Sequence, residues 1–248
     1  MEFTARLLLL LTLKWLICLS FCAEYYVKPT LDTKCSEQCY TLSHYISNSQ
    51  HYFVSNVTFH FLPGIFILES NQPLSIGKIA SFSLIGSERY TFANLTNDGY
   101  QYPIPLSEIE CIGRTGIVFS DGSDVTIKQL RIRNCHVGLG FSCIKDASIF
   151  HVLIENSTIG GIFGYRMLGN NSIADSAFIK STLNFEYTPV PCQISPAEVA
   201  STSRVEIDRT YIFYGYQDPQ HVDAGGLSVT IKGYPLEILA RVPDTVFF

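Results

Sequence analysis

The sequence predicts an all-β protein built from stacked, repeating coils of short parallel strands. The segment DVTIKQLRIRN begins at Asp124, and a similar segment, DASIFHVLIEN, begins at Asp146, 22 residues later. Apolar residues alternate within each copy, as is typical of strands rather than helices. A period of about 20 to 25 residues is typical of solenoids, in which each unit buries its apolar face against the next. The same interval separates the members of two further sets, Gly116, Gly138 and Gly160, and Phe119, Phe141 and Phe163.

Residues 1–22 have the pattern of a cleaved secretory signal peptide. A basic Arg6 precedes an apolar run that only Lys14 interrupts, and small residues follow it. We expect cleavage after Cys22 or Ala23. An uncleaved membrane anchor is the alternative, but the apolar run is short for a bilayer, which needs roughly 20 residues. No later stretch is apolar enough to span a membrane, so we expect no span in the mature chain.

The repeats predict coils over residues 57–248, most clearly over 116–214. Weaker copies of the repeated segment occur in NNSIADSAFIK and RVEIDRTYIFY. Between them, residues 183–201 contain three prolines and are predicted to form an inserted loop, because proline cannot join a central ladder. In the stack, Ile127 should lie over Ile149, about 4.8 Å away. The sequence ends just after GGLSVTIKGY, which is typical of a coil's beginning, so we expect the stack to be incomplete at its C-terminal end.

Over residues 116–214 the sequence resembles the secreted right-handed parallel β-helix proteins of the pectate-lyase-like superfamily. The resemblance is carried by VTIKQLRIRN, ASIFHVLIEN, NSIADSAFIK and VEIDRTYIF, with GIVFSDGS and GGIFGYRM between them. It implies a right-handed parallel β-helix and indicates little about activity. The alternative is a leucine-rich repeat, which has a similar period. Its asparagine would come one position later than Asn134, and the glycine-rich CHVGLGF that follows is a poor helix former.

Residues 23–56 are predicted to form an N-terminal cap segment. Proteins of the resembled family often carry an amphipathic helix over the first coil. The segment SEQCYTLSHYIS fits this role, with Ser36 as the N-cap residue. Leu42, Tyr45 and Ile46 would then share one apolar face.

Six cysteines remain after signal cleavage, an even number that fits disulfides in an oxidising compartment. Six cysteines allow 15 pairings, and sequence alone cannot choose among them. Cys111 and Cys135 are about one coil apart, and the spacing between coils fits the Cα separation of roughly 4.4 to 6.8 Å that a disulfide needs. This pair is therefore preferred. The other two pairs would join Cys143 to Cys192, at the insertion, and Cys35 to Cys39. Zinc is disfavoured because no CxxC cluster occurs.

Four acceptor sequons for N-glycosylation lie at Asn56, Asn94, Asn156 and Asn170. Asn156 also lies one repeat after Asn134, so the two side chains could form an asparagine ladder between coils. A ladder buried in the structure would exclude a glycan on Asn156. Both interpretations stay open from sequence.

The charge of the chain disfavours nucleic acid and anionic membranes as partners. The formal net charge is −5, and no basic stretch supplies a face for polyanions. The 14 tyrosines would suit sugar stacking or protein contact, although many could instead pack inside the coils. Trp15, the only tryptophan, lies in the signal segment. We expect an extracellular polysaccharide or a cell-surface protein as the partner.

The sequence lacks the motifs that carry catalysis in the resembled family. Polygalacturonase-like enzymes resemble one another in NTD, DD, GHG and RIK motifs, and RIR at residues 131–133 is the single echo. Asp121 and Asp124 could bind calcium as in pectate lyases, but DGSD also fits a simple turn. His221 and Asp223 could form an acid–base pair, but they lie in a predicted loop. No cofactor or metal is expected.

The sequence therefore predicts a secreted, extracellular recognition or structural module, non-catalytic and able to bind carbohydrate. A polysaccharide lyase or hydrolase of the same fold is the alternative. Such an enzyme needs outward carboxylates that converge within roughly 5 to 10 Å. Asp175 and Asp208 are further candidates for that role, together with the aspartates named above.

Overall fold

The computed structural model describes residues 22–30, 33–35, 38–94, 101–113, 115–187, 192, 203–213, 227–231, 236–240 and 246–247. The predicted signal peptide lies outside these ranges except for Cys22. Most of the predicted insertion, together with His221 and Asp223, also lies outside them.

Short strands dominate the described residues up to Ile112, and two short helices interrupt them. In order, these elements are β1 (Ala23–Lys28), β2 (Cys39–Thr41), α1 (Leu42–Ser47), α2 (Ser49–Tyr52), β3 (Val57–Phe61), β4 (Gly64–Glu69), β5 (Leu74–Gly77), β6 (Ala80–Ile85), β7 (Tyr90–Asn94), β8 (Gln101–Pro105) and β9 (Ser107–Ile112).

The second half contains two long strands and then a regular series of short ones. These are β10 (Gly116–Lys128), β11 (Arg131–Arg133), β12 (Val137–Phe150), β13 (Leu153–Glu155), β14 (Gly160–Tyr165), β15 (Asn170–Ala174), β16 (Ala177–Ile179), β17 (Leu183–Tyr187), β18 (Ser203–Asp208), β19 (Tyr211–Phe213), β20 (Leu227–Ile231), β21 (Leu236–Ala240) and β22 (Val246–Phe247).

Strands make up most of the described residues, which confirms the all-β prediction, and they pair mainly in parallel. Among the described strands, thirteen form a first sheet and seven form a second, in the order β22-β19-β16-β13-β11-β9-β4. The strands paired within these two sheets run parallel, whereas β7 and β8 form an antiparallel hairpin. The first sheet branches because the first half of β10 pairs with β5 and its second half pairs with β6. In the later coils, one strand lies in each branch and the next lies in the second sheet. For example, β14, β15 and β16 are followed by their respective partners β17, β18 and β19.

The register between β10 and β12 is the one that the repeat predicts. Ile127 pairs with Ile149, and Phe119 pairs with Phe141. The two phenylalanine rings stack with centroids 5.5 Å apart and an angle of 15° between their planes. A side chain at Gly116 would place its Cβ only 1.9 Å from the carbonyl oxygen of Val137, which explains the glycine there.

The register differs from the prediction at the third copy. Phe141 pairs with Gly164, while Phe163 pairs with Gly140 and is only partly buried. The physical reason is one additional residue in the coil, since β12 and β14 pair at an offset of 23. Phe163 therefore does not extend the phenylalanine stack, as a uniform period of 22 residues would require.

The repeated acidic and amide residues lie at bends. Asp124 and Asp146 have φ angles of 54° and 59°, and Asn134 and Asn156 have φ angles of 59° and 54°. Asparagine and aspartate tolerate this left-handed conformation better than most residues with a side chain. The repeated segment therefore encodes the corners of the chain path as well as its strands.

Two predicted boundaries need correction. The predicted insertion began at residue 183, but residues Leu183–Tyr187 form β17, which pairs with β14, because the alternation of LNFEY continues up to the first proline. The predicted helix began after Ser36, which lies outside the described residues. Instead, residues Cys39–Thr41 form β2 beside β1, and α1 begins after Thr41. Leu42 and Tyr45 of α1 are buried.

Three disulfides are present, and they are the pairs that the sequence analysis favoured. Cys111–Cys135 joins neighbouring coils with its Cα atoms 4.9 Å apart. Cys143–Cys192 has a Cα separation of 5.5 Å, and Cys35–Cys39 one of 6.3 Å. Three disulfides fit an extracellular protein. In the part of the chain that is described, no helix has the length and apolarity to cross a bilayer.

Candidate functional site

The candidate site is the outward face of the second sheet. Alternate residues of a strand point to opposite sides, so the neighbours of each buried residue point outward. Ile109 and Ile132 are buried in the core. The outward positions of the first four strands carry Ile65, Ile67 and Glu69 on β4, Glu108, Glu110 and Ile112 on β9, Arg131 and Arg133 on β11, and Leu153 and Glu155 on β13.

Two arginines bridge three glutamates at the centre of this face. Arg131 Nη1 lies 2.9 Å from Glu108 Oε2, and Arg131 Nε lies 2.5 Å from Glu155 Oε2. Arg133 Nε lies 2.5 Å from Glu108 Oε1, and Arg133 Nη2 lies 3.0 Å from Glu110 Oε2. The Glu108 side chain is only 9% exposed. Each glutamate therefore contacts an arginine, and Glu108 contacts both.

The asparagine pair lies at the edge of the same network. Asn156 Nδ2 donates to Asn134 Oδ1 at 3.3 Å, and Asn134 Nδ2 donates to Glu110 Oε1 at 3.1 Å. Both asparagines are exposed rather than buried. The ladder interaction is therefore present, and its exposure removes the steric objection to a glycan on Asn156.

Three isoleucines are exposed at the β4 end of the face. Ile65, Ile67 and Ile112 are 48%, 46% and 47% exposed. Ile65 pairs with Glu108, Ile67 pairs with Glu110, and Glu69 pairs with Ile112. These isoleucines therefore form an aliphatic patch directly beside the ion-pair network.

The hairpin of β7 and β8 covers the other end of the face. Tyr102 packs with Leu153 and Ala177 in a small apolar cluster that is separate from the main core, with Ile104 and Tyr211 against it. The Tyr102 hydroxyl also donates to the Asp175 carbonyl oxygen at 2.8 Å. This end of the face is thus occupied by a segment of the chain itself.

A second contact anchors the hairpin at its first strand. The Tyr90 hydroxyl lies 3.4 Å from His151 Nδ1, at the bend before β13. Burial is the main cause that raises the pKa of Tyr90, with a further rise from the Glu88 charge and an opposing hydrogen bond with Gln129. Tyr90 therefore stays a neutral hydrogen-bonding group at physiological pH.

An open groove borders the aliphatic patch. It has a volume of about 530 Å³ and lies between α1 and β4. Its walls include Ile46 and Ser43 from α1 and Phe66, Ile67 and Glu69 from β4. The aliphatic patch and the groove share Ile67 and are therefore continuous.

The predicted aspartates are divided between different bends of the chain. Asp121 and Asp124 lie at the bend in the middle of β10, where Asp124 Oδ2 accepts a hydrogen bond from the Ser123 hydroxyl. Asp175 lies at a different bend, directly after the last residue of β15. Within the described residues, no group of three or more His, Cys, Asp and Glu side chains could hold a metal ion.

Asp175 and Asp208 do lie together, but an arginine holds both. Arg209 Nε and Nη2 lie 2.6 and 2.7 Å from the two Asp175 carboxylate oxygens, and Arg209 Nη1 lies 2.6 Å from Asp208 Oδ2. The hydrogen bond with Arg209 is the main cause that lowers the pKa of Asp175, against the opposing effect of burial. Asp175 therefore serves as an ion-pair partner rather than as a proton donor near neutral pH.

The four sequons lie away from the outward positions of the second sheet. Asn94 ends β7, Asn170 begins β15, and Asn156 follows β13; all three are exposed. Asn56 precedes β3 and is half-buried, with a φ angle of 60°. Asn156 is the one that lies beside the ion-pair network, through its hydrogen bond to Asn134.

The sequence reasoning missed the glutamates and isoleucines of this face. The signal was present in GIFILE at residues 64–69 and SEIECI at 107–112, where apolar and outward residues alternate. Those segments lie outside the clearest repeats, so the repeat did not predict that they pair with the strand that carries Arg131 and Arg133. From sequence, the arginines were considered only as part of RIR at residues 131–133, which resembles the RIK motif.

No protein-family model, no curated protein and no solved structure matches the chain. The resemblance to the pectate-lyase-like superfamily therefore stays a prediction from the sequence, and the site is interpreted from its own geometry.

Proposed function

We propose that this chain is a secreted, glycosylated, right-handed parallel β-helix protein, similar to the pectate-lyase-like superfamily, that acts as a non-catalytic extracellular recognition module. The long parallel sheets and the 22-residue register support the β-helix. The three disulfides support an extracellular location. In this proposal α1 and α2 belong to the cap over the first coil, and residues 1–22 are the signal peptide.

The observation that carries the recognition role is the composition of the outward face. Isoleucines that stay nearly half exposed adjoin a centre in which Glu108 is held by two arginines. Ion pairs fix the side chains of the centre in place, and exposed aliphatic groups gain free energy when a partner removes them from water. Protein interfaces commonly combine an apolar core with a polar rim, so the aliphatic patch would form the core of the contact and the ion-pair network part of its rim.

An enzyme that cleaves polysaccharides is the second candidate, because carboxylates do converge on this face. Glu108 and Glu155 both contact Arg131, so their side chains approach each other as those of a glycosidase pair do. However, Glu108 Oε2 and Glu155 Oε2 each accept a hydrogen bond from Arg131. We therefore place recognition before catalysis.

The test is to secrete the full chain from cultured cells, purify it, and incubate it with acidic and neutral polysaccharides, with and without calcium. Both retention of the protein and cleavage of the polysaccharide are recorded. We expect no cleavage under any condition. Cleavage that is lost in Glu108→Gln, or in asparagine variants of Asp121, Asp124, Asp175, Asp208 or Asp223, would establish the enzyme instead.

A further inference from the structure

We infer that the aliphatic patch of Ile65, Ile67 and Ile112 binds a partner protein whose own apolar side chains are flanked by lysine or arginine. This inference rests on the proposed recognition function and names the partner class of the same face. It begins from the exposure of the three isoleucines, each between 46% and 48%.

The spacing of the patch suits an extended protein segment. Ile65 and Ile67 are two residues apart on β4, which places them on the same side about 7 Å from each other. Alternate side chains of an extended peptide have the same spacing. A segment lying along β4 could therefore contact both isoleucines with successive residues of one side.

The chemistry of the patch favours protein over sugar. Isoleucine offers no hydrogen-bonding group and no flat ring on which a sugar could stack. Among the residues whose side chains the structure describes, no tyrosine is exposed, and Tyr45 and Tyr102 are buried. The described tyrosines are therefore buried or half-buried, whereas the three isoleucines of the patch are nearly half exposed.

The charge around the patch specifies a positive partner. The outward positions of β4, β9, β11 and β13 carry four carboxylates and two guanidinium groups, a formal net charge of −2. Glu69 is exposed beside Ile112, and the Glu110 side chain, next to Ile67, is 26% exposed. Lysine or arginine around an apolar contact would complement this charge.

The chain provides an internal example of the same kind of contact. On the same face, the hairpin packs Tyr102 against Leu153 and Ala177. The open patch continues this intramolecular interface beyond the ion-pair network, towards the groove beside α1. The face thus already holds one apolar segment at its covered end and presents an equivalent apolar surface at its open end.

The test uses three short synthetic peptides and fluorescence anisotropy with the full secreted chain. The first has alternating leucine and serine in its centre and two lysines at each end. The second replaces the lysines by glutamates, and the third replaces the leucines by serines. We expect the first peptide to bind at least tenfold more tightly than either of the others.

The variants of the protein then locate the contact. Ile65→Ser/Ile67→Ser/Ile112→Ser should weaken binding of the first peptide at least tenfold, while Ile159→Ser should leave it unchanged. Ile159 is the matched control because it is 47% exposed and lies at the bend before β14. Glu69→Lys should weaken the lysine peptide and strengthen the glutamate peptide. Circular dichroism confirms that each variant is folded.

Three results would overturn the inference. Equal binding of the three peptides would show that the protein prefers neither apolar nor positively charged partners. An equal effect of Ile159→Ser would show that the peptide does not bind at the aliphatic patch. If the unmodified chain binds a polysaccharide and the triple variant does not, the patch binds sugar rather than protein. The proposed recognition function would then still hold. Polysaccharide cleavage would instead refute the proposed function, so the two failures are distinguishable.

Discussion

Arg131 Nη1 lies 2.9 Å from Glu108 Oε2, and the two residues are direct partners on neighbouring strands of the second sheet. Glu108 and Arg131 were not related by the sequence repeat, because Glu108 precedes the clearest copies. Their contact ties the first coils to the regular ones through a side chain that is 9% exposed. The ion-pair network therefore stabilises the fold in addition to forming part of the proposed binding surface.

We predict that Arg131→Gln lowers the free energy of unfolding by about 2 kcal/mol. The substitution removes charge-assisted hydrogen bonds, each worth roughly 1.5 to 3 kcal/mol, and Arg133 compensates part of the loss at Glu108. Urea denaturation at neutral pH measures the effect. Arg89→Gln is the control, because Arg89 is exposed, and it should change stability by less than about 0.5 kcal/mol. Equal effects of the two substitutions would contradict the prediction.

The Cys111–Cys135 disulfide should contribute about 3 kcal/mol of stability, because it closes a loop of 24 residues in the unfolded chain. Cys111→Ser/Cys135→Ser should therefore unfold at a lower denaturant concentration than the unmodified chain. Non-reducing peptide mapping by mass spectrometry should find the peptides containing Cys111 and Cys135 joined. A map that joins Cys111 to any other cysteine would refute the pairing on which this prediction depends.

The Phe119–Phe141 stack should be the most sensitive apolar contact of the repeats. Both side chains are at most 1% exposed, so Phe119→Ala removes buried surface and leaves a cavity. Such substitutions cost about 3 to 5 kcal/mol. Thermal and urea unfolding measure the loss. Phe92→Ala removes a ring of the same size that is 67% exposed, and a similar loss there would show that burial is not the cause.

The repeated segments allowed the register of β10 and β12 to be predicted from sequence. Period, alternation and cysteine spacing are local patterns, and they placed Ile127 on Ile149 and Cys111 beside Cys135. The offset of 23 between β12 and β14 was not predictable in the same way. One additional residue at a bend leaves the alternation of each strand intact but shifts Phe163 away from Phe141.

The candidate site was less predictable than the fold for a physical reason. Its charged centre joins Glu108, Arg131 and Glu155, which lie on three strands separated by unequal lengths of chain. The β7–β8 hairpin enlarges the coil that precedes β9, so the offset of 22 residues that relates Arg133 to Glu155 does not extend to β4, which pairs with β9 at an offset of 43. Only the pairing of β9 with β11 reveals that these side chains meet.

The Asp175–Arg209 pair predicts a specific loss of stability in acid. Because Arg209 lowers the pKa of Asp175 below its usual 3.8 in the folded protein, the unfolded chain takes up this proton more readily. The stabilisation is therefore present above about pH 5 and is lost as the pH falls through the lowered pKa. Because the Arg209 side chain is 53% exposed, solvent screening limits this stabilisation to less than about 1 kcal/mol.

The measurement is the difference in unfolding free energy between the unmodified chain and Asp175→Asn, followed from neutral pH into acid. We expect a positive difference at neutral pH that shrinks below about pH 4, because protonation then removes from the unmodified chain the charge that the variant already lacks. Arg209→Gln should be less stable than the unmodified chain at neutral pH, and the difference should shrink over the same range. A difference that stays constant down to the acid transition would mean that Asp175 acts through packing or through the neutral hydrogen bonds of its side chain, and not through its charge.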